Sequence, residues 1–152
     1  MAKTFIVMRH GDYLRSNRHL SDYGVEQVKD VSKKLSRDFH VGRICCSSAI
    51  RAEQTGIILK QAFDLVSPKG SEVAFEKLTW LTEDSLYRGE VAKLSYPEDV
   101  VVIVAHAPYI EGMSSSFGEK LSVPNAGGII YTAENWGAFT ELPKLKMFRP
   151  EV

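Results

Sequence analysis

Residues 99–105 read Asp-Val-Val-Val-Ile-Val-Ala, and the unbroken β-branched run from Val100 to Val104 restricts the fold more than any other stretch of the chain. β-Branched side chains are stiff at χ1 and fit a pleated strand better than a helix. The run also lacks the alternation of a strand with one wet face, so both of its faces must be covered. Such a strand belongs in the middle of a sheet, and a parallel sheet is the kind that is buried on both sides.

The rest of the chain supplies the other parts of an α/β domain. Residues 4–8 form a second continuous apolar run, and 43–47 a short third one. Between them Ser21 is placed to cap a helix whose Val25, Val28, Val31 and Leu35 share one face, with Lys29, Lys33 and Lys34 on the other. A second helix is expected over 49–63, on a stripe of Ala52, Ile58, Leu59, Ala62 and Phe63. Residues 73–75 suggest a strand and 86–94 a weaker helix, and Pro108 suits the first turn of another. The last third differs: 128–132, 138–142 and 145–148 read as strands, with a turn at Trp136-Gly137. No linker, repeat or low-complexity segment interrupts the chain, so residues 1–152 are expected to make a single α/β domain.

Charge and cysteine content narrow the function classes. Nineteen Lys and Arg balance nineteen Asp and Glu, so no global field draws the chain to nucleic acid or to an anionic membrane. Any anion binding has to be local. The apolar start, residues 5–8, is too short for a secretory core or a membrane span, and a cytoplasmic protein is expected. Cys45 and Cys46 are adjacent, which in a strand sends their side chains to opposite faces, so both are expected as small buried hydrophobes. His10, His19, His40 and His106 lack the spacing of a metal-binding set, and no metal or other cofactor is expected.

The chemistry gathers where the strong strands end. The first runs into Arg9-His10-Gly11-Asp12, the second into Ser47-Ser48-Ala49-Ile50-Arg51, and the valine-rich strand into His106-Ala107-Pro108. Open α/β sheets bind ligands outside the carboxyl ends of their strands. Two histidines and two arginines therefore converge on one crevice, with Asp12 the only carboxylate in these three segments placed beside them. Any one of these residues alone would be unremarkable in a loop. Together they suit phosphate, because an arginine fork matches its oxygens and cannot lose its charge. Arg9, Arg51 and a protonated His106 would offset the charge of the group in flight. A neutral His10 would attack phosphorus through one ring nitrogen while the other is held by an acceptor such as a backbone carbonyl. Gly11 would let the chain approach the phosphate closely.

The motifs V-M-R-H-G-D (7–12), L-S-D-Y-G (20–24), S-S-A-I-R-A-E-Q-T (47–55) and V-A-H-A-P (104–108) resemble, in order, those of the histidine phosphatase superfamily, which contains phosphoglycerate mutase-like enzymes and the small SixA-like phosphohistidine phosphatases. The short chain, without long insertions, is most similar to the SixA-like members. The resemblance implies a three-layer α/β/α sandwich with a mostly parallel central sheet, His10 as nucleophile, and Arg9, Arg51 and His106 as the phosphate pocket. It implies a glutamate proton donor after the third strand in an L-x-E context, which Leu81-Thr82-Glu83 matches; Asp84 and Glu76 are the rivals for that role. Asn17 is loosely similar to an asparagine of the family's R-H-G loop, and Asn125-Ala126-Gly127-Gly128 to a small Asn-led turn near the pocket, its glycines expected to serve backbone geometry.

The expected activity is thus a metal-independent phosphatase acting on a phosphomonoester, or on phosphohistidine borne by a protein. An alkoxide leaves poorly without a proton donor, whereas imidazole needs less help, so the substrate depends on Glu83. The alternatives are a phosphate-binding regulatory module of the same fold with weak or no turnover, and a histidine-based metal hydrolase. Arg15, Arg18 and His19 follow the nucleophile and are expected as a solvated basic loop that could meet a second anionic group on the substrate.

Overall fold

A computed structural model of the chain describes residues 3–68, 71–78, 96–106, 109–116, 121–135 and 144–151. In chain order these form β1 (Lys3–Arg9), α1 (Asp22–Asp38), β2 (Arg43–Ser47), α2 (Ile50–Val66), β3 (Ala74–Leu78), β4 (Val100–Ala105), α3 (Tyr109–Ser116), β5 (Gly128–Ala133) and β6 (Lys144–Phe148). The sheet runs β3-β2-β4-β1-β5-β6. β3, β2, β4 and β1 are mutually parallel, and β5 and β6 extend the sheet through antiparallel pairings. The valine-rich β4 lies between β2 and β1, as its continuous apolar run requires, and Val101 to Val104 are fully buried.

Alternate residues of each central strand feed two cores. Phe5, Val7, Cys45, Val101 and Ile103 pack with Ile110 and Met113 of α3 on one face. Ile6, Met8, Cys46, Val102 and Val104 pack with Val28, Val31 and Leu35 of α1 and Leu59 and Phe63 of α2 on the other. The result is an α/β/α sandwich. Adjacent Cys45 and Cys46 serve opposite cores, and burial pushes their thiols up to about 11 and about 12, which keeps them protonated and unreactive.

Ser21 caps α1 as expected, its hydroxyl accepting from the Gly24 N–H, while Val25 is only partly buried and Gln27 takes an inward place. α2 runs one turn beyond its expected end. β3 is longer than the apolar signal at 73–75, because Glu76 and Lys77 continue it as a sheet edge, where charged side chains reach water. The expected helix at 86–94, strand at 138–142, turn at 136–137 and Pro108 lie outside the described residues. Among the described residues no helix is long and apolar enough to cross a membrane.

Topology decides where a ligand can sit. The helix after β1 covers one face of the sheet and the helix after the adjacent β4 covers the other. The loops leaving these neighbours part company, and a crevice opens at their carboxyl ends.

Candidate functional site

Register brings the sequence-predicted residues together. Arg9 pairs with Ala105 across β1 and β4, and Cys46 with Val104 across β2 and β4. Ser47 thus stands level with Arg9 and Ala105, and His10 and His106 follow at the same edge. Both histidines are 3% exposed, and their rings lie 5.2 Å apart between centroids.

His10 has a defined tautomer. Its Nδ1 lies 2.9 Å from the Gly11 carbonyl oxygen, an acceptor only, so Nδ1 carries the proton. Its Nε2 faces Arg51, whose Nε–H donates to it at 3.2 Å, so Nε2 holds the lone pair. Burial, with further contributions from the positive charge of Arg51 and Arg9, lowers the His10 pKa to about 4. The ring is therefore neutral at neutral pH.

Arg51 enters from the first turn of α2 and is 8% exposed. Its Nη2 donates to Nδ1 of His106 at 3.4 Å. That leaves the His106 proton on Nε2, which donates to the buried Ser47 hydroxyl at 2.7 Å. One guanidinium thus addresses both imidazoles. Thr55, one turn further along α2, donates to the Arg51 carbonyl at 2.8 Å and accepts from the Gly11 N–H at 3.1 Å, tying α2 to the loop after β1. Tyr13 fills in beside them, its ring edge-on to His10 at 5.3 Å and 4.8 Å from the Arg51 guanidinium carbon.

Arg9 reaches across to the segment before β5. Its Nη1 donates to the Val123 carbonyl at 3.1 Å, while its buried Nε has no hydrogen-bond partner among the described residues. Glu111 of α3 accepts from the N–H of the same Val123 at 3.2 Å. The Asn125 turn serves backbone geometry: Ala126 donates to the His10 carbonyl and Gly127 accepts from the Arg9 N–H. Ala126, not a glycine, takes the positive φ there, at 60°.

The other candidates divide. Asp12 turns away from the cations and accepts from the Ser21 hydroxyl at 2.6 Å, so it supports the start of α1. The Asn17 side chain accepts from the His19 N–H at 3.0 Å within its own turn. Glu76 is taken up by Arg43 and Tyr96 on the β3 side of the sheet, apart from both histidines. Glu83 and Asp84 lie outside the described residues. Arg15 and Arg18 join Tyr13 and Arg51 around a cavity of about 340 Å³. A larger groove of about 570 Å³ runs between α1 and β6 and holds none of these residues. Ser47, Thr55, Tyr13 and Glu111 were not singled out from sequence; Ser47 and Thr55 stand inside the matched 47–55 motif, the one available signal.

Among the described residues no three His, Cys, Asp or Glu side chains cluster as a metal site would need.

No family model matches the sequence, and no curated protein does. Solved structures do match. A protein histidine phosphatase SixA complexed with tungstate superposes with a TM-score of 0.77 at 20% identity, over 97% of each chain. The fold is that of the histidine phosphatases. A Nakamurella multipartitia protein assigned as a SixA phosphohistidine phosphatase gives 0.76 at 20% identity, over 100% of this chain and 98% of its own. A mycobacterial glucosyl-3-phosphoglycerate phosphatase gives 0.70 at 18% identity, over 99% of this chain and 100% of its own. These matches cover nearly all of this chain and of each neighbour.

Proposed function

We propose that this chain is a metal-independent phosphatase working through a covalent phosphohistidine at Nε2 of His10. The observation that carries this is the His10 tautomer: Nδ1–H is held by the Gly11 carbonyl, and the Nε2 lone pair is turned toward Arg51. A neutral imidazole held this way is a competent nucleophile, and Arg9 and Arg51 lie around it to offset negative charge; His106, neutral in this arrangement rather than protonated as expected, would join them on taking up a proton at Nδ1. In the first step Nε2 bonds to phosphorus, the phosphorus–oxygen or phosphorus–nitrogen bond to the leaving group breaks, and that group departs with its electron pair and takes up a proton. In the second, water attacks phosphorus, the phosphorus–nitrogen bond breaks, and inorganic phosphate and neutral His10 are restored.

Phosphomonoesters and protein phosphohistidine both fit this chemistry. The neighbours point the same way: two are phosphohistidine phosphatases by name, a third acts on glucosyl-3-phosphoglycerate, and one was solved with tungstate. For an ester the proton donor assigned is Glu83.

The test is phosphate release from an aryl phosphate in the presence of EDTA. Wild-type activity should survive the chelator, be inhibited by tungstate, and fall at least roughly 1000-fold in His10→Ala. Arg51→Ala should cost about 100-fold or more, in line with removing one preorganised donor. A His10→Ala protein with near-wild-type rate overturns the covalent mechanism.

A further inference from the structure

We propose that the cavity bounded by Tyr13, Arg15, Arg18 and Arg51 is a second anion subsite, and that the substrate carries a carboxylate or a second phosphate beside the phosphoryl group it loses. The inference rests on the phosphatase assignment above and goes further, to substrate class.

Among the described residues that line the cavity, three of four are arginines and none is acidic. At about 340 Å³ the space is large enough for part of a substrate and well beyond one phosphate. The nearest acid in sequence, Asp12, is committed to the Ser21 hydroxyl. Among the described residues neither Arg15 nor Arg18 is in a salt bridge. In a chain whose charges sum to zero, this is a local concentration of positive charge.

The loop that presents these arginines is fastened at several points. Tyr13 and Leu20 form a bridge across its base. Leu14 donates to the His19 carbonyl and Arg18 to the Leu14 carbonyl, each at 2.8 Å. Gln54 of α2 clamps the far strand, accepting from the Leu20 N–H at 2.7 Å and donating to the His19 ring at 2.9 Å. Arg18 itself sits at φ 64°, a left-handed conformation that is unfavourable for a side chain with a Cβ. A solvated basic loop has no need of such fixing. The cavity also joins the crevice directly, because Tyr13 touches both His10 and Arg51. An anion held by Arg15 and Arg18 would thus belong to the molecule whose phosphoryl group faces His10.

The experiment compares meta-carboxyphenyl phosphate and meta-phenylene bisphosphate with the neutral meta-carbamoylphenyl phosphate, in the wild type and in Arg15→Gln/Arg18→Gln. The wild type should favour at least one anionic ester by roughly 10-fold in kcat/KM, through KM, and the preference should shrink in high salt. The double variant should lose the preference while its rate on the carbamoyl ester stays within about 3-fold. Which anionic ester is favoured tells a carboxylate subsite from a phosphate one. Equal rates on all three esters, or a preference unchanged in the double variant, overturn the subsite. Should the wild type turn over none of them, the phosphomonoester branch of the phosphatase assignment fails instead. The subsite is then judged by calorimetry, where tighter binding of an anionic ester that the double variant loses supports it and equal binding overturns it.

Discussion

The Nδ1 proton of His10 is held by the carbonyl of its own chain neighbour, Gly11, at 2.9 Å. The contact costs no reach across the fold, and it fixes the tautomer and the ring plane together. It works only because the carbonyl of Gly11 folds back beneath the imidazole, and that loop is in turn held by Thr55 through the Gly11 N–H. The proposed nucleophile is thus oriented by backbone, with no carboxylate behind it among the described residues.

The buried, neutral state of His10 predicts a pH signature in stability. Its folded pKa is lowered to about 4, chiefly by burial, while the unfolded chain titrates near 6.5. Between those values the unfolded state binds the extra proton, so acid favours unfolding. The contribution is complete above pH 6.5 and is lost as pH falls to about 4, for a total of about 3 kcal/mol. Urea unfolding at several pH values should show a steeper decline in the wild type than in His10→Gln. Parallel curves for the two proteins would mean that the folded His10 is not depressed.

Ser47 and His106 give a second prediction. Ser47→Ala removes the 2.7 Å partner of the buried His106 Nε2 and leaves that N–H unsatisfied. Stability should fall by about 1–3 kcal/mol. With the imidazole less firmly oriented, phosphatase activity should drop roughly 10- to 100-fold while the fold persists. Aryl phosphate kinetics and thermal unfolding of the same sample check both parts, and a rate within about 2-fold of wild type would remove Ser47 from the site.

What the sequence revealed follows a physical line. His10, Arg51 and His106 were legible because each comes just after a strong strand or in the first turn of the next helix, where local pattern predicts position. Ser47 and Thr55 were not, because their roles depend on partners 59 and 44 residues away, which only register and helix docking bring within reach. Glu111 was hidden likewise, since nothing local says that its carboxylate will meet Val123. The charged half of β3 escaped an apolar criterion, as edge strands do. Asp12 was legible as a nearby carboxylate, but its capping role through Ser21 needed the geometry of α1.

Gly24 shows how tightly α1 is pressed to the loop after His10. A Cβ there would collide with the Asp12 carbonyl oxygen and lie 2.9 Å from the Asp12 nitrogen, both backbone atoms with little room to yield. Gly24→Ala should therefore push the loop off the helix, costing about 2 kcal/mol or more and reducing turnover along with stability. Gly112 in α3 is the control, since a Cβ there meets nothing within 4 Å among the described residues. Gly112→Ala should be neutral or stabilising by up to about 1 kcal/mol. Thermal unfolding of the pair separates contact from propensity, and equal effects would contradict the packing described.

The last prediction concerns how Arg9 is aimed. Val123 is held through both of its backbone groups, its carbonyl by Arg9 Nη1 at 3.1 Å and its N–H by Glu111 at 3.2 Å. Glu111 is thus a positioning residue: it anchors the segment against which the Arg9 guanidinium rests, the buried Nε having no partner among the described residues. Glu111→Ala frees the Val123 N–H and loosens that anchor, so KM for an aryl phosphate should rise roughly 10-fold with a smaller change in kcat. Glu111→Gln keeps an oxygen to accept from Val123 and should restore most of the affinity. The KM-against-kcat split and the rescue distinguish this role from proton transfer. If Gln fails as badly as Ala and the loss falls on kcat, the carboxylate acts through its charge or its proton, and Glu111 would then compete with Glu83 for the role of acid.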